Sequence, residues 1–347
     1  MSGDLKRLER FIRQEMDSED IPGLAACIVK HNRVMWYGNF GYADLRKRTS
    51  VTEDTIFLVA SVSKAFTGVM AMQLVEQGKL DLDRDINDYL PFKVENPRRP
   101  GGVITTRGLL THTSGIIDND DLEFYYWEQD PPLSLHDFTH NYFYGEYHAP
   151  KVAFTKHPEG KRYIYSNMGY TLLGLVIEEV AEMPFHEFCQ IMILDPLGMD
   201  SSGWRLQDID MKRKATPYDE DGDPLRHYTI PDFPNGQLMT TTKDLSKFVM
   251  ALIQKGTYRG VSILEPSTLE EMMRVQYPKA SDESTLGMFF EELHRYDVFG
   301  HDGDDLGYTA EMFYHPENEV GVVVLTNGEE LDLDSIKERM FAVGDKL

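Results

Sequence analysis

Between residues 4 and 17 the apolar positions Leu5, Leu8, Phe11, Ile12 and Met16 fall three and four apart, a spacing that predicts a helix with one buried face. Pro22-Gly23 interrupts it. Residues 24–30 and 33–40 are rich in β-branched and aromatic side chains and read as a hairpin around His31-Asn32-Arg33. From Ser61 to Gln77 the helical period returns, with Phe66, Val69, Met70, Leu74 and Val75 as its stripe and Gly78 as its stop. A short helix and a turn are expected over 105–116. Residues 117–150, acidic and aromatic, read as irregular with short helices. One or two helices follow over 168–195, then a Pro/Gly/Asp-rich stretch to about 235, then helices at 242–255 and 266–275. The last third returns to strands at 286–293, 296–299, 308–314 and 320–326, with a tight turn at Pro316-Glu317-Asn318-Glu319. A helix over 332–342 closes the chain.

Strands near both ends and helices between them predict an α+β fold. Both sets of strands join one antiparallel sheet, flanked by the terminal helices. Residues 1–347 form a single domain in this reading. An α/β sandwich lobe comes from about 1–60 and 280–347, and a mostly helical lobe from about 61–279. The cleft between the lobes is the natural place for a small-molecule site.

Charge narrows the partners. Against 35 Lys and Arg stand 58 Asp and Glu, a net charge of −23. Nucleic acid and anionic membranes both need clustered cations, so neither is an expected partner. A small molecule or a short peptide is; the oligomeric state is left open. The two cysteines, Cys27 and Cys189, make no disulfide framework and read as buried thiols. Neither CxxC nor HExxH occurs, so no metal and no cofactor are expected. No apolar run approaches the roughly 18 residues of a membrane span. The charged start, MSGDLKRLERFIRQEMDSED, lacks the apolar core of a signal peptide, and a cytoplasmic protein is the expectation.

The chemical signal is Ser61-Val62-Ser63-Lys64, at the start of a predicted helix after the extended run Ile56-Phe57-Leu58-Val59-Ala60. Positions i and i+3 share a helix face, so Ser61 Oγ and Lys64 Nζ can meet. A serine hydroxyl needs a neighbouring base, and a lysine serves when burial depresses its pKa. Taken alone, the pattern also suits a helix-capping serine and a surface lysine. GxSxG is absent, which excludes an α/β-hydrolase elbow.

The surrounding run, FLVASVSKAFTGVMAMQLVEQGKLDLDRDINDYLP, resembles the serine β-lactamase and penicillin-binding-protein superfamily, in particular its class C β-lactamase-like branch, to which family VIII carboxylesterases and D-aminopeptidases are related. Tyr165-Ser166-Asn167 in HPEGKRYIYSNMGYTLLGLVIEEV resembles the YxN motif of that branch. His301-Asp302-Gly303 in FGHDGDDLGY resembles its HxG variant of KTG. LLTHTSGI at 109–116 and LDPLGMDSSGW at 194–204 are similar as well, and the resemblance runs over about 5–345.

The resemblance implies a β-lactamase/transpeptidase-like fold and an acyl-enzyme on Ser61. Lys64 and Tyr165 would share the proton transfers, and which of them is the acylation base stays open. Asn167 would bond Lys64 or the substrate. The backbone N–H groups of Ser61 and Asp304 would form the oxyanion hole. His301 and Gly303 would lie on the strand beside the substrate. Plainer readings stand beside these: Tyr165 as a core tyrosine, Asn167 as a helix cap, His301 as a turn residue, His112 as structural. The aromatics at 124–127 suit either lobe packing or an acyl-pocket wall.

The substrate is an ester or amide rather than a β-lactam in this reading. The usual KTG lysine is His301, a poor anchor for a carboxylate near neutral pH. Asp304-Asp305 follow, and like charges at about 5 Å in an effective dielectric near 20 cost on the order of 3 kcal/mol. Asp118, Asp120, Asp121 and Glu123 read as a solvated acidic surface or as recognition of a substrate ammonium. Two alternatives are a β-lactamase proper and a catalytically idle relative that binds a peptidoglycan-like ligand or assembles.

Overall fold

A strand points successive side chains to opposite sides, so the unbroken apolar run Leu24–Val29 needs cover on both. In the computed structural model, which describes residues 3–119, 122, 124–145, 147, 153–294 and 296–347, this run forms β1 (Gly23–Lys30), buried on both faces. Leu24, Ala26 and Ile28 pack into one core, and Ala25, Cys27 and Val29 into the other.

β1 turns into β2 (Arg33–Asp44), which pairs with the short β3 (Thr49–Ser50). The C-terminal third adds β4 (Phe289–Leu293), β5 (Tyr296–Asp305), β6 (Tyr308–His315) and β7 (Val320–Thr326). The sheet order is β4-β5-β6-β7-β1-β2-β3, antiparallel throughout. Strands from the two chain ends therefore meet at its centre, with Ala25 opposite Leu325.

Helices from the two chain ends, α1 (Gly3–Ser18) and α6 (Asp334–Gly344), cover one face, where Leu8 and Ile12 meet Met340 and Phe341. The other face receives α5 (Thr242–Ile253) and, behind it, α2 (Ser63–Glu76). Beyond α2 lie α3 (Thr106–Leu110) and α4 (Asn167–Ala181). No helix among the described residues is long and apolar enough to cross a membrane. Both cysteines are buried and unpaired.

Three expectations need correction. The stripe predicted for α2 is in fact a whole circumference: every residue from Ser63 to Leu74 is buried, because the helix runs between the sheet and the helical region. The strand expected over 296–299 continues to Asp305. Gly300-His301-Asp302-Gly303-Asp304-Asp305 has little strand propensity of its own. Pairing with β6, from Gly300 opposite Phe313 to Asp305 opposite Tyr308, holds it extended. In β4, which pairs with the first half of β5, the strand expected from 286 begins only at Phe289.

Candidate active site

The extended run before Ser61 is anchored first. Phe57-Leu58 pairs with Met239-Thr240, and the Val59 amide donates to the Leu238 carbonyl at 2.9 Å. A single 3-10 turn, Ala60–Val62, then leads into α2. Ala60 takes a left-handed conformation, φ 45°, which a non-glycine residue adopts only under the constraint of its surroundings. Ser61 thus stands at a sharp corner where strand becomes helix.

One turn on, Lys64 is fully buried. Its Nζ lies 2.9 Å from Ser61 Oγ and donates to Asn167 Oδ1 and to the Asn235 carbonyl, both at 2.8 Å. Burial draws the amine down to about 7, although Asp118, Asp232, Asp302 and Asp305 pull the other way. A neutral amine has two N–H bonds and one lone pair. The Asn167 and Asn235 oxygens only accept, so they take the two N–H bonds and leave the lone pair aimed at Ser61 Oγ.

The two acceptors are themselves held. Asn235 ends a 3-10 turn over Phe233–Asn235, and that turn is bolted to α2: Thr67 Oγ1 donates to the Pro234 carbonyl at 2.7 Å, and Ser63 Oγ accepts from the Leu238 amide at 2.9 Å. Asn167 opens α4. Ser166 is the N-cap and accepts from the Gly169 amide at 2.9 Å. Asp118 accepts from the Asn167 amide at 2.7 Å, the Met168 amide at 2.9 Å and Ser166 Oγ at 3.0 Å. Its carboxylate therefore holds the helix terminus and is not a free acidic surface. Asp120, Asp121 and Glu123, which the sequence grouped with it, lie outside the described residues.

Tyr165 covers Ser61 from the other side. Its hydroxyl shares a hydrogen bond with the Ser61 side chain, and its ring lies 4.8 Å from Lys64 Nζ. Tyr165 as a residue is 38% exposed, yet its hydroxyl is desolvated enough to push the phenol well above its ordinary value. Tyr165 therefore stays protonated. It stacks on His112 with centroids 4.4 Å apart. His112 is buried, its Nδ1 accepts from the Ser166 amide at 3.0 Å, and burial with nearby Lys64 keeps it neutral. It positions Tyr165 and Ser166 without reaching Ser61.

β5 forms the opposite wall. At Gly303 a Cβ would lie 2.5 Å from the Val59 carbonyl oxygen and 2.7 Å from the Ser61 nitrogen, so only glycine lets the strand approach this closely. The Asp304 carboxylate is taken up away from Ser61, accepting from Thr309 Oγ1 and the Glu330 amide at 3.0 Å each. What Asp304 offers the cavity is its main chain. His301 is 3% exposed, with Nδ1 donating to the Asp302 carbonyl at 2.6 Å and its ring 6.4 Å from Tyr165 and 5.0 Å from Phe289. It packs behind Tyr165 and does not line the cavity into which Ser61 opens. That cavity, about 220 Å³, is walled by Ser61, Asn167, Phe124, Tyr125, Asp232 and Asp305 among others. Phe124 also packs on Phe138 and Tyr147, so this aromatic segment serves both the packing and the wall.

A family model described as Beta-lactamase matches residues 8–344. The chain belongs to the beta-lactamase family. Among curated relatives, Protein flp of Staphylococcus aureus (strain N315) is 27% identical over 327 residues, 93% of this chain and 63% of that protein, so the chain spans about 63% of that relative's length. Among solved structures, the octameric penicillin-binding protein homologue from Pyrococcus abyssi is similar with TM-score 0.80 at 26% identity, over 98% of this chain and 77% of the other. The D-amino acid amidase from Ochrobactrum anthropi SV3, complexed with L-phenylalanine, shares the fold with TM-score 0.79 at 22% identity, over 98% of each. The beta-lactamase-family chain has a β-lactamase/transpeptidase-like fold.

Of the site residues expected from sequence, the fold brings Ser61, Lys64, Tyr165 and Asn167 together and sets Gly303 and the Asp304 main chain against Ser61. Sequence reasoning missed Asn235, Asp232 and the use made of Asp118. Pro234-Asn235-Gly236 is a turn signal, but what it supplies is a backbone carbonyl, which no side-chain pattern announces.

Proposed function

We propose that the protein hydrolyses small esters or amides through an acyl-enzyme on Ser61. The observation that carries this is the Lys64 amine, 2.9 Å from Ser61 Oγ with its other bonds fixed on Asn167 and Asn235. Lys64 is the acylation base in this reading, since it lies near 7 while Tyr165 is held as a phenol. The Ser61 proton passes to Lys64 as the Oγ–carbon bond forms. The main-chain N–H groups of Ser61 and Asp304 receive the developing oxyanion. The bond to the leaving alcohol or amine breaks, and that group takes the proton by way of Tyr165. Water then adds to the acyl carbon, giving its proton to Lys64, and the Oγ–carbon bond breaks as the proton returns to Ser61.

Esters and amides, including those of D-amino-acid peptides, are favoured over β-lactams. His301 offers the cavity no cation, because it packs behind Tyr165, and Asp305 places a carboxyl in the cavity, where it opposes the carboxylate of a β-lactam. A panel of p-nitrophenyl butyrate, D-alanine p-nitroanilide and nitrocefin, with Ser61→Ala beside wild type, tests the reading. Turnover of the ester or anilide that vanishes in Ser61→Ala supports it. Nitrocefin turned over far faster than both moves the assignment to β-lactamase proper. No turnover, or turnover unchanged in Ser61→Ala, leaves the idle binding or assembly protein.

A further inference from the structure

Two acids in the Ser61 cavity take no part in these proton transfers. Asp305, at the end of β5, accepts on Oδ1 from Tyr125 Oη at 3.1 Å and from the Leu306 amide at 2.8 Å. Asp232, beside the 233–235 turn, accepts on Oδ2 from Asn235 Nδ2 at 2.8 Å. Both line the same cavity as Ser61. Among the described residues neither carboxylate forms an ion pair.

The lysines close enough to influence them are already engaged. Lys64 is committed to Ser61, Asn167 and Asn235, and Lys214 donates to Tyr308 Oη at 2.7 Å. Burial draws both amines down to about 7, so neither supplies a full counter-charge. Burial also pushes Asp305 up to about 6, with nearby Asp232 adding to the rise, and burial together with Asp118 raises Asp232. Partly buried acids without a counter-charge are costly unless something pairs with them. Phe124 and Tyr125 line the same wall, and aromatic rings are favourable neighbours for a cation.

We infer that Asp305 and Asp232 bind the ammonium group of a substrate whose ester or amide carbon is attacked by Ser61. This rests on the hydrolase reading above and decides between its substrates: aminoacyl esters and amides are selected over their deamino counterparts. Asp118, one of the four acids read from the sequence as candidates for ammonium recognition, is spent on the terminus of α4. Tyr125 positions the Asp305 carboxylate.

The methyl esters of D-alanine, L-alanine and propionic acid test this, methyl propionate being the deamino counterpart. Each kcat/KM is divided by that ester's hydroxide-catalysed rate, which removes the intrinsic effect of the ammonium. At least one alanine ester is expected to exceed methyl propionate on the order of tenfold or more, and Asp305→Asn and Asp232→Asn each shrink that ratio. Equal or faster turnover of methyl propionate by wild type overturns the inference, as does a ratio that both folded variants leave unchanged. If neither variant folds, inhibition of wild type decides. n-Propylammonium is expected to inhibit methyl propionate hydrolysis at about tenfold lower concentration than 1-propanol, and equal inhibition overturns the inference. Labelling of Ser61 by an uncharged fluorophosphonate is followed in parallel. A labelled Ser61 without ammonium preference removes the ammonium site alone. An unlabelled Ser61 with no ester turned over removes the hydrolase reading, and the substrate assignment with it.

Discussion

Asp118 Oδ2 accepts from the Asn167 amide at 2.7 Å, so one acid sets where α4 begins and, through it, where Asn167 Oδ1 meets Lys64. A carboxylate at a helix N-terminus is favoured by the helix dipole as well as by these bonds. Asp118→Ala is expected to cost about 1–3 kcal/mol of stability, read from denaturant unfolding. It should also lower kcat. Asp118 is foremost among the acids that raise Lys64, so its loss moves the pH–rate profile to lower pH. A variant that loses stability but keeps the wild-type profile would show that the acid serves the helix only.

Lys64 makes activity depend on pH in a stated direction. Its neutral amine is the base, so kcat/KM for an uncharged ester should rise with pH through an apparent pKa of about 7. Tyr165 contributes no limb in that range because its phenol is pushed upward. The same amine affects stability. Its folded pKa lies below its unfolded value of 10.5, so the unfolded chain binds more protons between about 7 and 10.5. The burial penalty is complete below that window and gone above it. Compared with Lys64→Met, wild type should gain with rising pH across the window, by about 5 kcal/mol at most. Urea unfolding of both proteins at pH 6 and pH 10 measures this, and a pH-independent difference would mean that Lys64 is not depressed.

Gly303→Ala should uncouple β5 from the nucleophile. The new methyl group meets two backbone atoms, the Val59 carbonyl oxygen and the Ser61 nitrogen, and neither can swing aside as a side chain would. The strand must retreat and carry the Asp304 amide with it. A loss of about 100-fold in kcat is expected, the scale of removing one oxyanion donor. Near-wild-type kcat would show that this amide is not used.

Far from the cleft, Lys337 on α6 is 2% exposed and donates to Glu291 on β4 at 2.8 Å and Glu311 on β6 at 3.0 Å. Glu311 is buried as well. Lys337→Met strands that carboxylate and should destabilise by roughly 3–5 kcal/mol, while Lys337→Met combined with Glu311→Gln recovers part of the loss. Thermal unfolding of the single and double variants tests the coupling.

Much of this architecture was legible in the residues. β-Branched and aromatic content marked the first strands, the tight turn at 316–319 helped to mark the second group, and three ordered motifs marked Ser61, Lys64, Tyr165, Asn167 and Gly303. The far half of β5 was not legible, because Gly, His and Asp do not favour strands and only pairing with β6 extends them. Nor was the division of labour among the acids. Asp118, Asp232, Asp304 and Asp305 are chemically equivalent in sequence, yet one holds a helix, one is tied up by Thr309 and the Glu330 amide, and two enter the cavity. Only the fold distributes those roles. The mistaken stripe on α2 has the same origin: a helix buried all round loses the polar side that gives periodicity its meaning.

The pairing of β7 with β1 has a consequence for how the chain is made. The first hairpin leaves the ribosome early, but its inner strand finds its second neighbour only when residues 320–326 have been synthesised. Until then β1 presents an apolar strand with one open edge, the kind of surface that invites pairing with other chains. Contacts of such long sequence separation also form slowly. A transcript cut short before β7 therefore yields an aggregation-prone fragment rather than a smaller working domain. Correct folding therefore depends on keeping the open edge of β1 away from other chains until β7 is made.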